Sequence, residues 1–94
     1  MTSRSVCVHS WTPASAADVR SGLLGFVAAR YGDLILDGIV VRRTADGRFV
    51  LSYPARTDRG GRRHAIVRPL DDAAREEIDR EVLRQIGERE DFAA

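Results

Sequence analysis

Arginine is the residue type whose number and spacing in this sequence point to chemistry with a partner. All 15 basic residues of the 94-residue chain are arginine. Eight of them lie within residues 42–68 against only two acids, which gives this stretch a net charge of +6. Contacts to phosphate groups supply much of the affinity for a nucleic-acid backbone. A GC-rich genome also replaces lysine by arginine, so the high arginine content alone is not evidence for such a partner. The clustering of the arginines in one stretch is.

Six of these arginines form the candidate nucleic-acid-binding site. They lie at the end of one predicted strand and in the charged loop after the next: Arg42, Arg43, Arg56, Arg59, Arg62 and Arg63. The loop also contains Gly60 and Gly61, a flexible segment that would let backbone N–H groups approach a phosphate chain. The alternative for each arginine is a solvated side chain, and for the two glycines a hairpin turn. The prediction of binding therefore depends on the whole cluster.

Acidic residues are concentrated after this cluster. Residues 69–94 contain nine acids against four arginines, a net charge of −5, although the whole chain carries only +1. The distribution of charge steers a partner more strongly than the total does. A second hypothesis follows, in which the chain is a protein–protein interaction module. Its basic and acidic faces would then pair across subunits or bind a charged protein.

The sequence offers little support for catalysis. It contains two histidines and one cysteine, and Cys7 lies outside any nucleophile motif. No glycine motif that cradles phosphate is present. Cys7 and His9 are two residues apart on a predicted strand and could bind a metal, but further ligands are missing, which favours packing or exposure to solvent. We therefore expect no enzyme, no cofactor and no metal.

The candidate site is attached to a predicted β-hairpin. A β-branched run precedes Asp46 and Gly47, a dipeptide that suits a tight turn because glycine accepts positive φ. After the turn, Phe49, Leu51 and Tyr53 share one face of a strand. We expect both aromatic rings in the core, with stacking on nucleic-acid bases as the alternative.

Residues 5–11 and 19–31 are predicted to be the first two strands. Strict alternation would place Cys7, His9 and Trp11 on one face of the first strand. The second segment is ambiguous, because its apolar residues also suit a helix. Gly22 and Gly25 would each cost about 1 kcal/mol in a helix, whereas in a strand glycine can allow a bend or close packing.

The clearest element is a helix predicted over residues 72–86. Asp71 is a good N-cap, and Gly87 can end the helix. Apolar residues repeat every four positions, with one more that widens the stripe: Ala74, Ile78, Val82, Ile86 and Leu83. Such a stripe predicts that the helix lies on the sheet.

These elements predict an α+β fold in one domain over residues 1–94. It would have a small antiparallel sheet of four to five strands, at about 5–11, 19–31, 34–43, 48–53 and 63–68, and one C-terminal helix. One helix leaves a sheet edge and much of a face uncovered, so we expect a homodimer. One cysteine, no signal peptide and no apolar run long enough for a membrane span predict a cytoplasmic protein with no membrane partner.

The stretch from the hairpin into the helix matches a known pattern. Its pieces are a glycine turn, an aromatic-containing strand, a proline followed by a basic residue and threonine, a short strand ending in proline, and a helix. They are Ile39-Val40-Val41, Asp46-Gly47-Arg48-Phe49-Val50, Tyr53-Pro54-Ala55-Arg56-Thr57, Ala65-Ile66-Val67-Arg68-Pro69-Leu70 and Arg75-Glu76-Glu77-Ile78. In order and spacing, over residues 39–83, the sequence resembles the stage V sporulation protein G family, the small bacterial septation regulators.

This resemblance implies a small dimeric protein with an antiparallel sheet and a C-terminal helix. Such proteins bind DNA, with RNA as an alternative ligand, and have regulatory roles in bacterial septation, cell division and sporulation. The family's two strands before the Ile/Val-rich one also favour a strand over residues 19–31. One departure matters, because the family tends to be basic where this chain carries −5. Binding would therefore use the hairpin and the loop, not the exposed face of the helix.

Overall fold

The fold was analysed in a computed structural model, which describes residues 6–89. Its elements are β1 (Val6–Pro13), α1 (Ala16–Arg20), β2 (Leu23–Tyr31), β3 (Leu34–Arg43), β4 (Phe49–Ser52), β5 (Ala55–Thr57), β6 (Arg63–Ala65) and α2 (Asp72–Gly87). Strands β1 to β4 form an antiparallel sheet in sequence order, and β5 and β6 form a second, two-stranded sheet. The predicted α+β class with a C-terminal helix is confirmed.

The strand predicted over residues 63–68 is shorter and does not join the main sheet. It extends only over β6, which pairs with β5. After it, the N–H groups of Ile66 and Val67 both donate to the carbonyl oxygen of Pro54, at 2.9 and 3.3 Å. Much of what the sequence indicated as a loop is therefore a second hairpin, and its base is closed on Pro54.

Strand β1 contains a β-bulge that changes which residues enter the core. His9 is an extra residue between Val8 and Ser10, whose partners on β2 are adjacent. The bulge inverts the alternation, so that Trp11 is buried while Cys7 and His9 stay exposed. The prediction that these three side chains share a face is wrong, because strict alternation cannot foresee an inserted residue.

The strand predicted from residue 19 begins at Leu23. A single helical turn, α1, precedes it, and the Ser15 hydroxyl caps this turn. Gly22 then adopts a φ of +102°, which favours glycine. Gly25 packs under the indole of Trp11, because a Cβ at this position would lie 2.5 Å from a ring carbon. Both glycines serve the strand, one at its entry and one through close packing.

Two other glycine features follow the prediction. In the sequence, an Asp37-Gly38 pair in the middle of a predicted strand suggests a bulge or a bend. In the structure the two residues together oppose one residue of β2, which is a bulge, and Gly38 has a φ of +82°. Gly47 has a φ of +88°, and its N–H donates to the carbonyl of Thr44 at 2.9 Å. The turn between β3 and β4 is therefore built as predicted.

Helix α2 covers one face of the main sheet. Its N-cap is Asp71, whose Oδ1 accepts a hydrogen bond from the N–H of Ala74 at 2.9 Å. Val82 and Ile86 are fully buried, and Ile78 packs against the same core. The predicted docking stripe is confirmed. Within residues 6–89 no helix has the length and apolar character needed to cross a membrane.

Side chains of α2 also satisfy backbone groups on both edges of the sheet. The N–H of Val8 donates to Gln85 Oε1 at 2.6 Å, and Gln85 Nε2 donates to the carbonyl of Val6 at 2.9 Å. At the other edge, Arg75 Nη1 donates to the carbonyl of Leu51 at 3.3 Å. Ten helical residues rise about 15 Å, close to the roughly 14 Å across four strands. The helix thus spans the sheet from one edge strand to the other.

Candidate nucleic-acid interface

The hairpin of β5 and β6, residues 55–65, is called the arm and has a turn organised by Asp58. Asp58 Oδ1 accepts hydrogen bonds from the N–H groups of Gly60 and Arg62, at 2.9 and 3.0 Å. The Asp58 carbonyl accepts from Gly61, whose φ is +82°. These N–H groups bond within the turn, so they are not presented to a phosphate chain. Gly60 and Gly61 therefore belong to a hairpin turn, which was the alternative to a phosphate-binding segment.

A side-chain pair closes the same turn. His64 Nε2 lies 2.7 Å from Asp58 Oδ2, across the turn from the backbone contacts. The hydrogen bond with His64, followed by the N–H groups of Arg62 and Gly60, lowers the pKa of Asp58 below its ordinary value. The only acid of the arm is therefore held by the arm's own donors and is not paired with an arginine side chain of the arm.

The six predicted arginines occupy three places. Arg42 and Arg43 end β3, Arg56 and Arg63 lie on the two strands of the arm, and Arg59 and Arg62 lie in its turn. All six except Arg43, which is half-buried, are exposed. Within residues 6–89 none of them has a carboxylate within 4.0 Å. By contrast, Arg48, Arg75 and Arg84 each pair with an acid. The predicted cluster therefore carries uncompensated positive charge.

Two clefts flank the base of the arm and share Tyr53, Pro54 and Ala55. The sheet-side cleft, of about 410 Å³, is lined by Arg42 and Arg63. The helix-side cleft, of about 560 Å³, is lined by Arg63, Arg68 and Arg75. No Asp or Glu is among the described residues that line either cleft. Folding thus brings Arg42 to Arg63, while Arg43, Arg56, Arg59 and Arg62 lie outside both clefts.

Arg68 and Arg75 are cleft residues that the sequence reasoning missed. Arg68 is exposed and has no carboxylate within 4.0 Å in the described part of the chain. Arg75 has structural partners: its guanidinium lies 5.3 Å from the centroid of the Tyr53 ring, 3.3 Å from the Leu51 carbonyl and 3.7 Å from Asp79. Only Arg68 is therefore added to the candidate site. In the sequence, Arg68 could have been noticed because it belongs to the stretch of residues 42–68 with a net charge of +6.

Of the two aromatic rings that were expected in the core, only one is buried there. Tyr53 is buried, as predicted, and its hydroxyl donates to Asp79 Oδ1 at 2.6 Å. Burial raises the pKa of Tyr53, and burial also raises the pKa of Asp79. Phe49, however, is partly exposed at the end of the edge strand. Phe26 on β2 is 44% exposed, and the sequence reasoning assigned it no role.

A larger cleft lies elsewhere in the described part of the chain and has a different character. It measures about 630 Å³ between α2 and the start of β1, and its lining mixes Glu77, Arg80, Glu81 and Arg84 with apolar side chains. Arg84 bonds to Glu81 and, together with Gln85, lowers the pKa of Glu81 to about 2. Because acidic and basic side chains compensate each other in this cleft, it does not favour the binding of an anion.

Comparisons with known proteins add no assignment. No protein-family model, curated protein or solved structure matches the chain. Within residues 6–89, no group of three or more His, Cys, Asp and Glu side chains could hold a metal ion. The class defined by fold and site is therefore a small α+β protein with a basic arm, and the resemblance to septation regulators stays a prediction.

Proposed function

We propose that the chain is a nucleic-acid-binding regulator that acts as a homodimer in the bacterial cytoplasm. It binds DNA, with RNA as the alternative ligand, through the arm and the adjoining end of β3. The observation that carries this proposal is the set of exposed arginines on and beside the arm that have no carboxylate partner within residues 6–89. The resemblance to septation regulators supports a role in cell division or sporulation.

The organisation of the arm favours binding to phosphates. Asp58 holds the turn through bonds to Gly60, Arg62 and His64, so the arm loses little backbone freedom when it binds. Each arginine that neutralises a phosphate releases counterions, which makes binding favourable and dependent on salt. A two-stranded arm that carries four arginines supplies several such contacts from each subunit.

The interaction-module hypothesis has a weaker basis at α2. On its outer side, Arg84 pairs with Glu81 at an N–O distance of 2.5 Å and with Glu88 at 2.9 Å. Much of the acidic charge is therefore compensated within the helix. Asp72, Glu76 and Glu77 remain exposed near its start and could meet the arm of another copy. Under that hypothesis, the arm would bind protein rather than nucleic acid.

An exposed apolar patch supports the homodimer. Tyr31 and Leu34 are direct cross-strand partners beside the turn between β2 and β3, so their side chains share a face, and they are 37% and 66% exposed. They lie at the opposite end of β3 from Arg42. A second copy seated on this patch would cover it and leave both arms free. The dimer would then double the basic surface.

Salt-dependent binding tests the proposal. The chain is titrated against labelled duplex and single-stranded probes of several sequences, and a variant with Arg59→Ala, Arg62→Ala and Arg63→Ala is titrated in parallel. The variant should bind all sequences more weakly, and its slope of log K against log salt should flatten by about 0.9 per lost duplex contact.

A matched control removes the same charge elsewhere. Arg20→Ala, Arg80→Ala and Arg89→Ala together leave the arm intact, and binding by this variant should match the unsubstituted chain. Equal losses in the two triple variants would show that only total charge matters. If the unsubstituted chain binds neither probe at low salt, the proposed function is wrong, and capture of a second copy by the arm becomes the hypothesis to test.

A further inference from the structure

The face of the main sheet opposite α2 is called the open face. The core lies on the other face, where Val82 and Ile86 of α2 and Val19 of α1 pack. Across the open face, one row of cross-strand neighbours runs from Thr12 through Phe26 and Val40 to Ser52, one residue from each strand. No described helix covers this row.

Phe26 is the unusual member of the row. It lies on an interior strand yet is 44% exposed, while Val27 beside it is almost fully buried on the core face. A phenylalanine ring exposes a large apolar surface and forms no conventional hydrogen bond with water. An exposed ring on a sheet surface offers a flat platform on which a base can stack.

Positive charge lies beside this platform. Val40 is the direct cross-strand neighbour of Phe26 and also lines the sheet-side cleft with Arg42 and Arg63. Arg42, two residues from Val40 on the same face, is the diagonal neighbour of Phe26, about 7–8 Å away by strand geometry. Neither arginine has a carboxylate within 4.0 Å in residues 6–89. The ring and the basic cleft are therefore joined through Val40 on the same face of the sheet.

We propose that the open face binds single-stranded nucleic acid, with a base stacked on Phe26 and the adjoining phosphates held by Arg42 and Arg63 in the sheet-side cleft. This inference rests on the proposed function and identifies the form of nucleic acid that the site takes. The charge of the cleft favours a polyanion over a second copy as the occupant of this face. In a duplex, base faces are hidden by pairing and stacking, so only an unpaired strand can use the ring.

Two variants of Phe26 separate stacking from simple apolar contact. Phe26→Leu keeps an apolar side chain but removes the ring, whereas Phe26→Tyr keeps the ring. Binding is measured with a single-stranded DNA or RNA oligonucleotide and with a duplex of the same sequence. Phe26→Leu should weaken single-strand binding about five- to 150-fold, the range per stacked base. Phe26→Tyr should bind as the unsubstituted chain does, and duplex affinity should not change with either variant.

A pair of charge-matched variants tests the phosphate contacts. Arg42→Ala with Arg63→Ala should weaken single-strand binding more than Arg59→Ala with Arg62→Ala, which removes equal charge from the turn of the arm. All variants are first checked for an unchanged circular-dichroism spectrum and thermal midpoint, so that a loss of binding reports on the site.

The possible results distinguish the two proposals. If the unsubstituted chain binds duplex through the arm but Phe26→Leu leaves single-strand affinity unchanged, only the open-face proposal is overturned. It is equally overturned if Phe26→Leu weakens duplex and single strand alike, or if light scattering shows that this variant loses a dimer. If the unsubstituted chain binds no nucleic acid, the proposed function itself is overturned.

Discussion

The hydroxyl of Tyr53 donates a hydrogen bond of 2.6 Å to Asp79 Oδ1, which joins the end of the main sheet to α2. Tyr53 is followed by Pro54, which accepts the bonds that close the base of the arm. Arg75 stacks on the same tyrosine ring. Contacts between sheet and helix are therefore clustered at the point from which the arm projects.

Tyr53→Phe should destabilise the protein by about 1–3 kcal/mol, because a half-buried carboxylate loses its hydrogen-bond donor. Urea denaturation measures this change. Asp79→Asn is the matched variant, since the oxygen of its amide can still accept from the tyrosine, and it should cost less. A larger loss in Asp79→Asn would instead assign the stability to the ion pair with Arg75.

Asp79 also predicts a pH dependence. Burial raises its pKa in the folded protein, so the folded state binds the proton more tightly than the unfolded state. Its contribution to stability is therefore greatest below the ordinary aspartate pKa and is lost as the pH rises through the raised value. Asp79→Asn should remove this component from the pH profile of unfolding. A profile unchanged by the substitution would contradict the assignment.

Asp58→Ala should loosen the turn of the arm without unfolding the protein. The amide protons of Gly60 and Arg62 lose their acceptor and should exchange faster with solvent, which NMR measures. Asp58→Asn keeps an oxygen for both and should protect them. Because folding lowers the pKa of Asp58, its stabilising effect exists above about pH 4 and is lost as the pH falls through the lowered value. Protection that persists in Asp58→Ala would contradict this account.

Gly25→Ala should destabilise the protein by about 1–3 kcal/mol through overpacking. The added Cβ would meet the ring of Trp11 and the carbonyl oxygen of Thr12, each at 2.5 Å. Gly87→Ala is the control, because a Cβ there meets nothing within 4 Å. Thermal unfolding should show a lower midpoint for the first variant and an equal or higher one for the second. Equal midpoints would mean that both the indole and the Thr12 carbonyl can move aside.

Leu34→Asp should weaken the proposed homodimer, since it puts a charge in the apolar patch of Tyr31 and Leu34. Light scattering at micromolar concentration should show a dimer for the unsubstituted chain and a monomer for the variant. Leu70→Asp changes an even more exposed leucine outside the patch and should leave the dimer intact. A monomeric unsubstituted chain would contradict the prediction directly.

Local patterns in the sequence determined α2, the turn at Asp46 and Gly47, and the bulge at Asp37 and Gly38. Each depends on residues close together in the chain, such as a capping side chain, an apolar repeat or a glycine with positive φ. The charge cluster at residues 42–68 was equally visible, because it needs only a count. These features could be predicted without knowledge of the fold.

Tertiary structure alone decided which side chains the site contains. The bulge at His9 turned Trp11 into the core, and the pairing of β5 with β6 turned a predicted loop into an arm. Arg42 of β3 and Arg63 of β6 are distant in the chain but line one cleft, together with Pro54 at the base of the arm. Such neighbours are set by strand register and by contacts between distant segments. A single inserted residue reverses every later side chain in a strand, so the local pattern could not specify them.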